Sequence, residues 1–230
     1  MAERPLTVLC TLGLAGVMAD LTPDFERAVG GPLDVRLGPT AGLAKDIAAG
    51  VAFDVAILTA PAIDDLIARG IIAGSRVDIA SARVGVTVPP GAPHPDIASV
   101  DAFKQALLTA KTVCYTRSGA SGQHFAKILP QLGIADAINA KALIIDGLVA
   151  ERVIAGEADL GIQQISEIMA VPGSVLVGPI PDAVQASTMF SAGVSAKAEN
   201  GDAAATFVRC LTASDARAVA EAKGLEPAPA

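Results

Sequence analysis

Two short turns carry the residue types best suited to chemistry: Gly38-Pro39-Thr40-Ala41-Gly42 and Arg117-Ser118-Gly119-Ala120-Ser121-Gly122. Each follows a strand-like run and opens a helix-like one. At such a helix start the backbone N–H groups lack partners within the helix and the dipole adds positive charge. The turn therefore suits a carboxylate, phosphate or other oxyanion. Two turns of this kind can grip one anion, which suggests a ligand held between two lobes. Arg117 adds a planar, permanently charged fork that fits a carboxylate better than a metal oxyanion; a surface ion pair is its alternative role. Ser118 and Ser121 can act as N-caps, each contributing about 1 kcal/mol, as ligand donors, or as both. Thr11 and Thr40 carry the same two roles. His124, in the first turn of the helix opened by Ser121-Gly122, is the candidate for proton transfer, because the dipole there favours the neutral imidazole that a general base requires. An exposed helix histidine is the alternative.

Other chemistries find little support. Two histidines and no clustered Cys, Asp or Glu at ligand spacing argue against a metal site, and no cofactor is expected. Neither a phosphate-binding Walker loop nor a G-x-S-x-G elbow is present, and the glycine turns do not have dinucleotide spacing. Cys10, Cys114 and Cys210 are odd in number, far apart and set in apolar segments, which is the usage of buried thiols. The formal charge is −7, with 17 basic and 24 acidic residues scattered along the chain. No basic stripe is available for nucleic acid, so the expected partner is a small anionic ligand, a carboxylate by preference. No apolar run approaches the ~18 residues of a membrane span. The start, Met1-Ala2-Glu3-Arg4-Pro5, leads directly into a strand and reads as a cytoplasmic protein. A mature exported chain with an added Met would look the same, and a transporter permease would then be the partner.

The elements that must hold these turns alternate. Leu6 to Cys10 reads as a buried strand and is followed by Leu14, Val17, Met18, Leu21 and Phe25 at helical spacing. Leu33–Leu37 and Asp54–Leu58 read as strands, and Leu43–Ala49 and Ile63–Arg69 as helices ending at glycines. After the strand Val84–Val88, the Pro89 to Pro95 stretch breaks regular structure. A second series follows: helix Asp101–Leu108, strand Thr112–Thr116, helix Gln123–Leu132, strand Ala142–Ile145, helix Leu148–Ala155 and strand Asp159–Gln163. Met189–Val194 is strand-like, and Ala203–Leu211 and Ala213–Lys223 are helical. Apolar strands alternating with helices predict parallel sheets covered on both faces, an α/β fold of two doubly wound lobes. The expected division is 1–83 plus 195–230 for the first lobe and 84–194 for the second, with two chain crossings as a hinge. In such sheets ligands sit at the carboxyl ends of strands, here after Cys10, Leu37, Leu58, Thr116, Ile145 and Gln163.

The order of these segments resembles a family. Val8 to Leu14, Gly38 to Ile47 and Phe53 to Leu58 resemble the type 2 periplasmic binding proteins, in the branch around the molybdate-binding proteins. Ser118 to Gly122, Asp159 to Gln164, Phe190 to Gly193 and Lys223 to Pro227 resemble a proteobacterial subgroup of that branch, which also resembles aconitate isomerases. The resemblance covers essentially the whole chain. It implies two lobes joined by two strands and closing on a ligand in the cleft. It also implies ligand contacts near Gly13, Thr40 or Ala41, Ala120 or Ser121, Gly147 and Gln164. Gly13 stands where a hydroxyl-bearing residue is expected, and Gln164 where an aromatic hydroxyl is usual. A tetrahedral metal oxyanion loses donors by both changes, which leaves an organic carboxylate as the expected ligand. Two functions follow from the resemblance: isomerisation of an unsaturated carboxylate such as aconitate, or solute reception for a transporter.

Overall fold

The computed structural model describes residues 4–229. By contacts the chain divides into two units, the first comprising Met1–Ser81 and Thr188–Ala230 and the second Ala82–Ser187. In the first unit the chain runs through β1 (Leu6–Thr11), α1 (Ala15–Val29), β2 (Leu33–Gly38), α2 (Thr40–Ala48), β3 (Val55–Thr59), α3 (Ala60–Ala68) and into β4 (Ile72–Val88). In the second it forms α4 (Val100–Thr109), β5 (Val113–Thr116), α5 (Ala120–Gln131), α6 (Ala135–Asn139), β6 (Ala142–Ile145), α7 (Val149–Ile154), β7 (Leu160–Gln164), α8 (Ile165–Met169) and β8 (Val175–Pro179). It returns through β9 (Ser187–Ser195) to α9 (Gly201–Leu211), α10 (Ser214–Ala222) and β10 (Glu226–Pro227).

The first sheet has the order β2-β1-β3-β9-β4, with β10 on β4. β1, β2 and β3 are parallel, with Val8 opposite both Val35 and Val55. Every residue of β1 is buried, as a central strand covered on both faces must be. Leu9, Ala56 and Leu58 pack with Leu43 and Ile47 of α2 and Ile63 and Leu66 of α3. The C-terminal helices join this unit through α9, whose Phe207 meets Phe25 of α1 edge to face at 5.2 Å. Helix α1 ends where Gly30 takes the left-handed φ of 77° that closes the cap.

The second sheet has the order β4-β7-β5-β6, with β8 also pairing β4. β5 is parallel to β6 and to β7, and β4 runs antiparallel to both β7 and β8. Its core gathers Val84, Val86, Phe103, Leu107, Tyr115, Phe125, Ile128 and Ile162. Tyr115 stacks edge to face on Phe125 at 5.1 Å, so the lone tyrosine is a core residue.

Three expectations change. The sheets are mixed, because β9, β10 and β4 contribute antiparallel pairs. The strand read as Val84–Val88 begins at Ile72: its first half is exposed from Ala73 to Ser75, half-buried from Arg76 to Asp78 and carries the charges of Arg76 and Asp78, so it lacks the apolar run that marks a central strand. The return crossing lies at Ser187/Thr188, not at 194/195. Phe190 to Val194 pair antiparallel with Thr59 to Val55 of β3, which ties that strand to the first unit.

Candidate functional site

Because β1, β2 and β3 are parallel, the segments that follow them emerge at one edge of the first unit. Thr11 ends β1 and Thr40 begins α2, and their hydroxyls hydrogen-bond at 3.3 Å. Ala41 follows as an exposed residue of the first turn of α2. Pro39 precedes α2 in extended conformation and supplies no side-chain cap, so the first-turn N–H groups have no side-chain partner. Gly13 lies in the turn after β1 against Phe190: a Cβ built at this position would fall 2.3 Å from the ring. Glycine is therefore required for packing, and the hydroxyl-bearing residue that the family resemblance leads one to expect has no room. Asp54 accepts the Thr7 N–H at 2.9 Å and is a structural link.

The second unit assembles a larger set. β5, β6 and β7 all end at one edge, where the turns after them are tied together. The Arg117 N–H donates to the Ile145 carbonyl at 2.8 Å, and the Ser118 hydroxyl donates to Asp146 at 3.1 Å. Gly147 takes a φ of 101°, a conformation that favours glycine, and its carbonyl accepts from the Gln163 carboxamide at 3.1 Å. The same carboxamide accepts the Val149 N–H at 2.7 Å. Gln163 is thus committed to holding the β6–α7 turn, while strand alternation turns Gln164 the other way. The Arg117 side chain is exposed, and among the described residues no carboxylate pairs with it.

Helix α5 starts at Ala120, three residues earlier than its apolar spacing predicts, and its N-cap is Gly119 with no side-chain cap bond. This corrects the capping roles of Ser118 and Ser121. Ser118 is spent on Asp146, and Ser121 lies within the first turn. Helices α4 and α9, by contrast, are capped by the side chains of Ser99 and Asn200. The close approach of α5 to β5 depends on glycine, since a Cβ on Gly122 would lie 1.9 Å from the Thr116 carbonyl oxygen.

Among the described residues, four buried side-chain oxygens have no hydrogen-bond partner: Thr116 Oγ1, Ser121 Oγ, Gln164 Oε1 and Ser166 Oγ. All four lie where β5 and β7 end and α5 and α8 begin. An unpaired buried polar group costs about 1–3 kcal/mol, so their concentration at one edge marks a place built to meet another molecule. Hydroxyls can donate there, and a rotated Gln164 carboxamide presents its N–H₂. Sequence reasoning singled out Ser121 and Gln164 but passed over Thr116 and Ser166, whose hydroxyls sit beside the glycine turn and beside Gln164 in the chain.

His124 is held by its Nε2, which donates to the Val184 carbonyl at 2.7 Å, leaving only Nδ1 to accept a proton. Glu167, which sequence reasoning also passed over, lies in the first turn of α8. Burial of its carboxyl pushes it up to about 7, opposed by hydrogen bonds from the Gln163 side chain and the Gln164 N–H. Its signal was present as a polar Gln-Gln-x-Ser-Glu run directly after a buried strand. Burial also pushes the Cys10 thiol up to about 12 and the Cys114 thiol to about 11, away from the thiolate a nucleophile needs.

Residues 6–226 match the model of the bacterial extracellular solute-binding protein family. The chain belongs to that family. It is 38% identical to an aconitate isomerase from Pseudomonas sp., across all of this chain and 92% of that protein. Among solved structures, it resembles the Azotobacter vinelandii periplasmic molybdate-binding protein with a TM-score of 0.82 at 17% identity, covering 98% of this chain and 100% of the other. The sulfate-binding protein SubI from Mycobacterium tuberculosis gives 0.79 at 18% identity, covering 98% and 87%. These two likenesses carry the periplasmic-binding-protein fold. No helix among the described residues is long and apolar enough to cross a membrane.

Proposed function

We propose that this protein binds a small unsaturated polycarboxylate and moves its double bond, as in the interconversion of cis- and trans-aconitate. The observation that carries the reading is the group of unpaired buried oxygens, three of them hydroxyls, at the end of β5 and β7, in the same turns as an exposed arginine with no carboxylate partner among the described residues. The whole-length relative named aconitate isomerase supports the same substrate class. Arg117 takes a substrate carboxylate in a two-pronged hydrogen bond, and the N–H groups of Ala120 and Ser121 at the start of α5, with the Ser121 hydroxyl, take further carboxylate oxygens. Gln164 and the Gly147 turn complete the contacts from the second unit. The Phe190 ring against Gly13 disfavours a tetrahedral metal oxyanion, which needs donors on every side.

The reaction is a proton shift. A base removes a proton from the methylene carbon next to the double bond, the electron pair delocalises into the neighbouring carboxylate, and the proton returns at the former vinylic carbon. Fixed N–H dipoles and Arg117 stabilise the charge that develops on the carboxylate oxygens. His124 is the candidate base legible in the sequence, and with its Nε2 on the Val184 carbonyl only Nδ1 is open to a proton. Arg117→Ala is expected to weaken aconitate binding about 10–100-fold, the value of a charge-assisted contact, measured by titration calorimetry. Unchanged affinity would remove Arg117 from the site.

A second reading, a receptor that delivers a carboxylate or oxyanion to a transporter permease, is favoured by the family match. It expects tight binding with no turnover and a protein found outside the cytoplasm. The isomerase reading expects turnover and a cytoplasmic protein. Activity assays on fractionated cells separate the two.

A further inference from the structure

Glu167 is a half-buried carboxyl, and among the described residues no cation pairs with it. Buried carboxylates are ordinarily paired, so a lone one requires a reason. Its surroundings supply one. Gln164 and Ser166, two of the four residues with unpaired buried oxygens, flank it in the same turn of chain. The Gln163 carboxamide, which clamps Gly147 and Val149 at the end of β6, also reaches it, so Glu167 stands where the ends of β6 and β7 are fastened together. The turn clamped there is tied in turn to Arg117 and Ser118 through Ile145 and Asp146.

We propose that the Glu167 carboxylate is the group that takes the proton from the substrate methylene and returns it at the former vinylic carbon. This rests on the isomerase reading above. One C–H bond breaks and one forms, the double bond moves by one carbon, and Glu167 ends as the carboxylate it began as, so no further reactant is needed. The Gln163 side chain and the Gln164 N–H hold the carboxyl at the end of β7. The raised affinity for a proton matches a carrier working near neutrality. Of the elements packed against α8, β7 and β8 carry no titratable residue, and α7 carries Glu151 and Arg152, of which Arg152 pairs with Glu157 at 3.1 Å.

A purely structural role is available to Glu167, as the third helical residue reaching back to the N-cap N–H. Glutamine fills that role as well as glutamate but carries no proton, so Glu167→Gln separates the two. With trans-aconitate in D₂O followed by proton NMR, the wild-type protein is expected to incorporate deuterium. Glu167→Gln is expected to lose at least about 100-fold of that rate while binding aconitate within about threefold of wild type. Wild-type exchange in a folded Glu167→Gln protein overturns the proposal, and exchange lost only on His124→Gln assigns the proton to His124 instead. A wild-type protein that binds aconitate without exchange overturns the isomerase reading itself. If Glu167→Gln does not fold, Glu167→Asp decides: a fall in kcat at unchanged KM is expected, and an unchanged kcat overturns the proposal.

Discussion

At the scale of single residues, two features depart from what folding alone requires: the unpaired oxygens of Thr116, Ser121, Gln164 and Ser166, and the lone carboxyl of Glu167. The second makes stability depend on pH with a definite sign. Burial raises Glu167 from an ordinary value of 4.5 to about 7, so the folded chain keeps this proton where the unfolded chain has released it. The resulting stabilisation is complete below about 4.5 and is lost as pH rises through about 7. Glu167→Gln is therefore expected to melt higher than wild type at pH 8, with the gap closing towards pH 4, by scanning calorimetry; a gap that does not change with pH contradicts this. Gly13 can be tested in the same way. Serine there pushes into the Phe190 ring and is expected to cost about 1–3 kcal/mol, with Phe190→Leu recovering part of the loss. The family resemblance marked Gly13 and Gln164 as unusual, and nothing in the sequence explained Gly13, because Phe190 lies far along the chain in β9, which pairs with β3.

At the scale of elements, the site depends on how closely α5 docks on the end of β5. Gly122 brings the first turn of the helix onto the Thr116 backbone, and Gly119 leaves room for the Thr116 hydroxyl. Gly122→Ala is expected to destabilise the protein by about 3 kcal/mol and to weaken ligand binding with it, as read by urea unfolding and calorimetric titration. A mutant as stable as wild type contradicts this packing. The glycine and hydroxyl turns were legible from the sequence, but the helices start inside them, at Thr40 and Ala120. Glycine usually marks a turn, and here it allows a close approach within a helix, a distinction that local sequence does not carry. The fully buried strands β1, β5 and β7 were legible for the opposite reason, since burial on both faces leaves a largely apolar run. The first half of β4 was not, because its exposed and charged positions have the composition of a loop.

At the scale of the whole molecule, β/α alternation announced the architecture, and the order of soft motifs pointed to the family that the chain belongs to. The antiparallel strands that close each sheet were harder to place. β9 belongs with β3, more than a hundred residues earlier, and only that pairing assigns it to the first unit. A fold shared with molybdate- and sulfate-binding proteins does not choose between holding an anion and transforming one. That choice rests on Arg117, the unpaired buried oxygens and the lone carboxyl. The direct test is to mix the purified protein with trans-aconitate and follow the acids by chromatography. Steady conversion to cis-aconitate up to an equilibrium mixture, reached equally from the cis side, is the expected result. Tight binding of either acid with no interconversion would contradict the account and leave a solute receptor in its place.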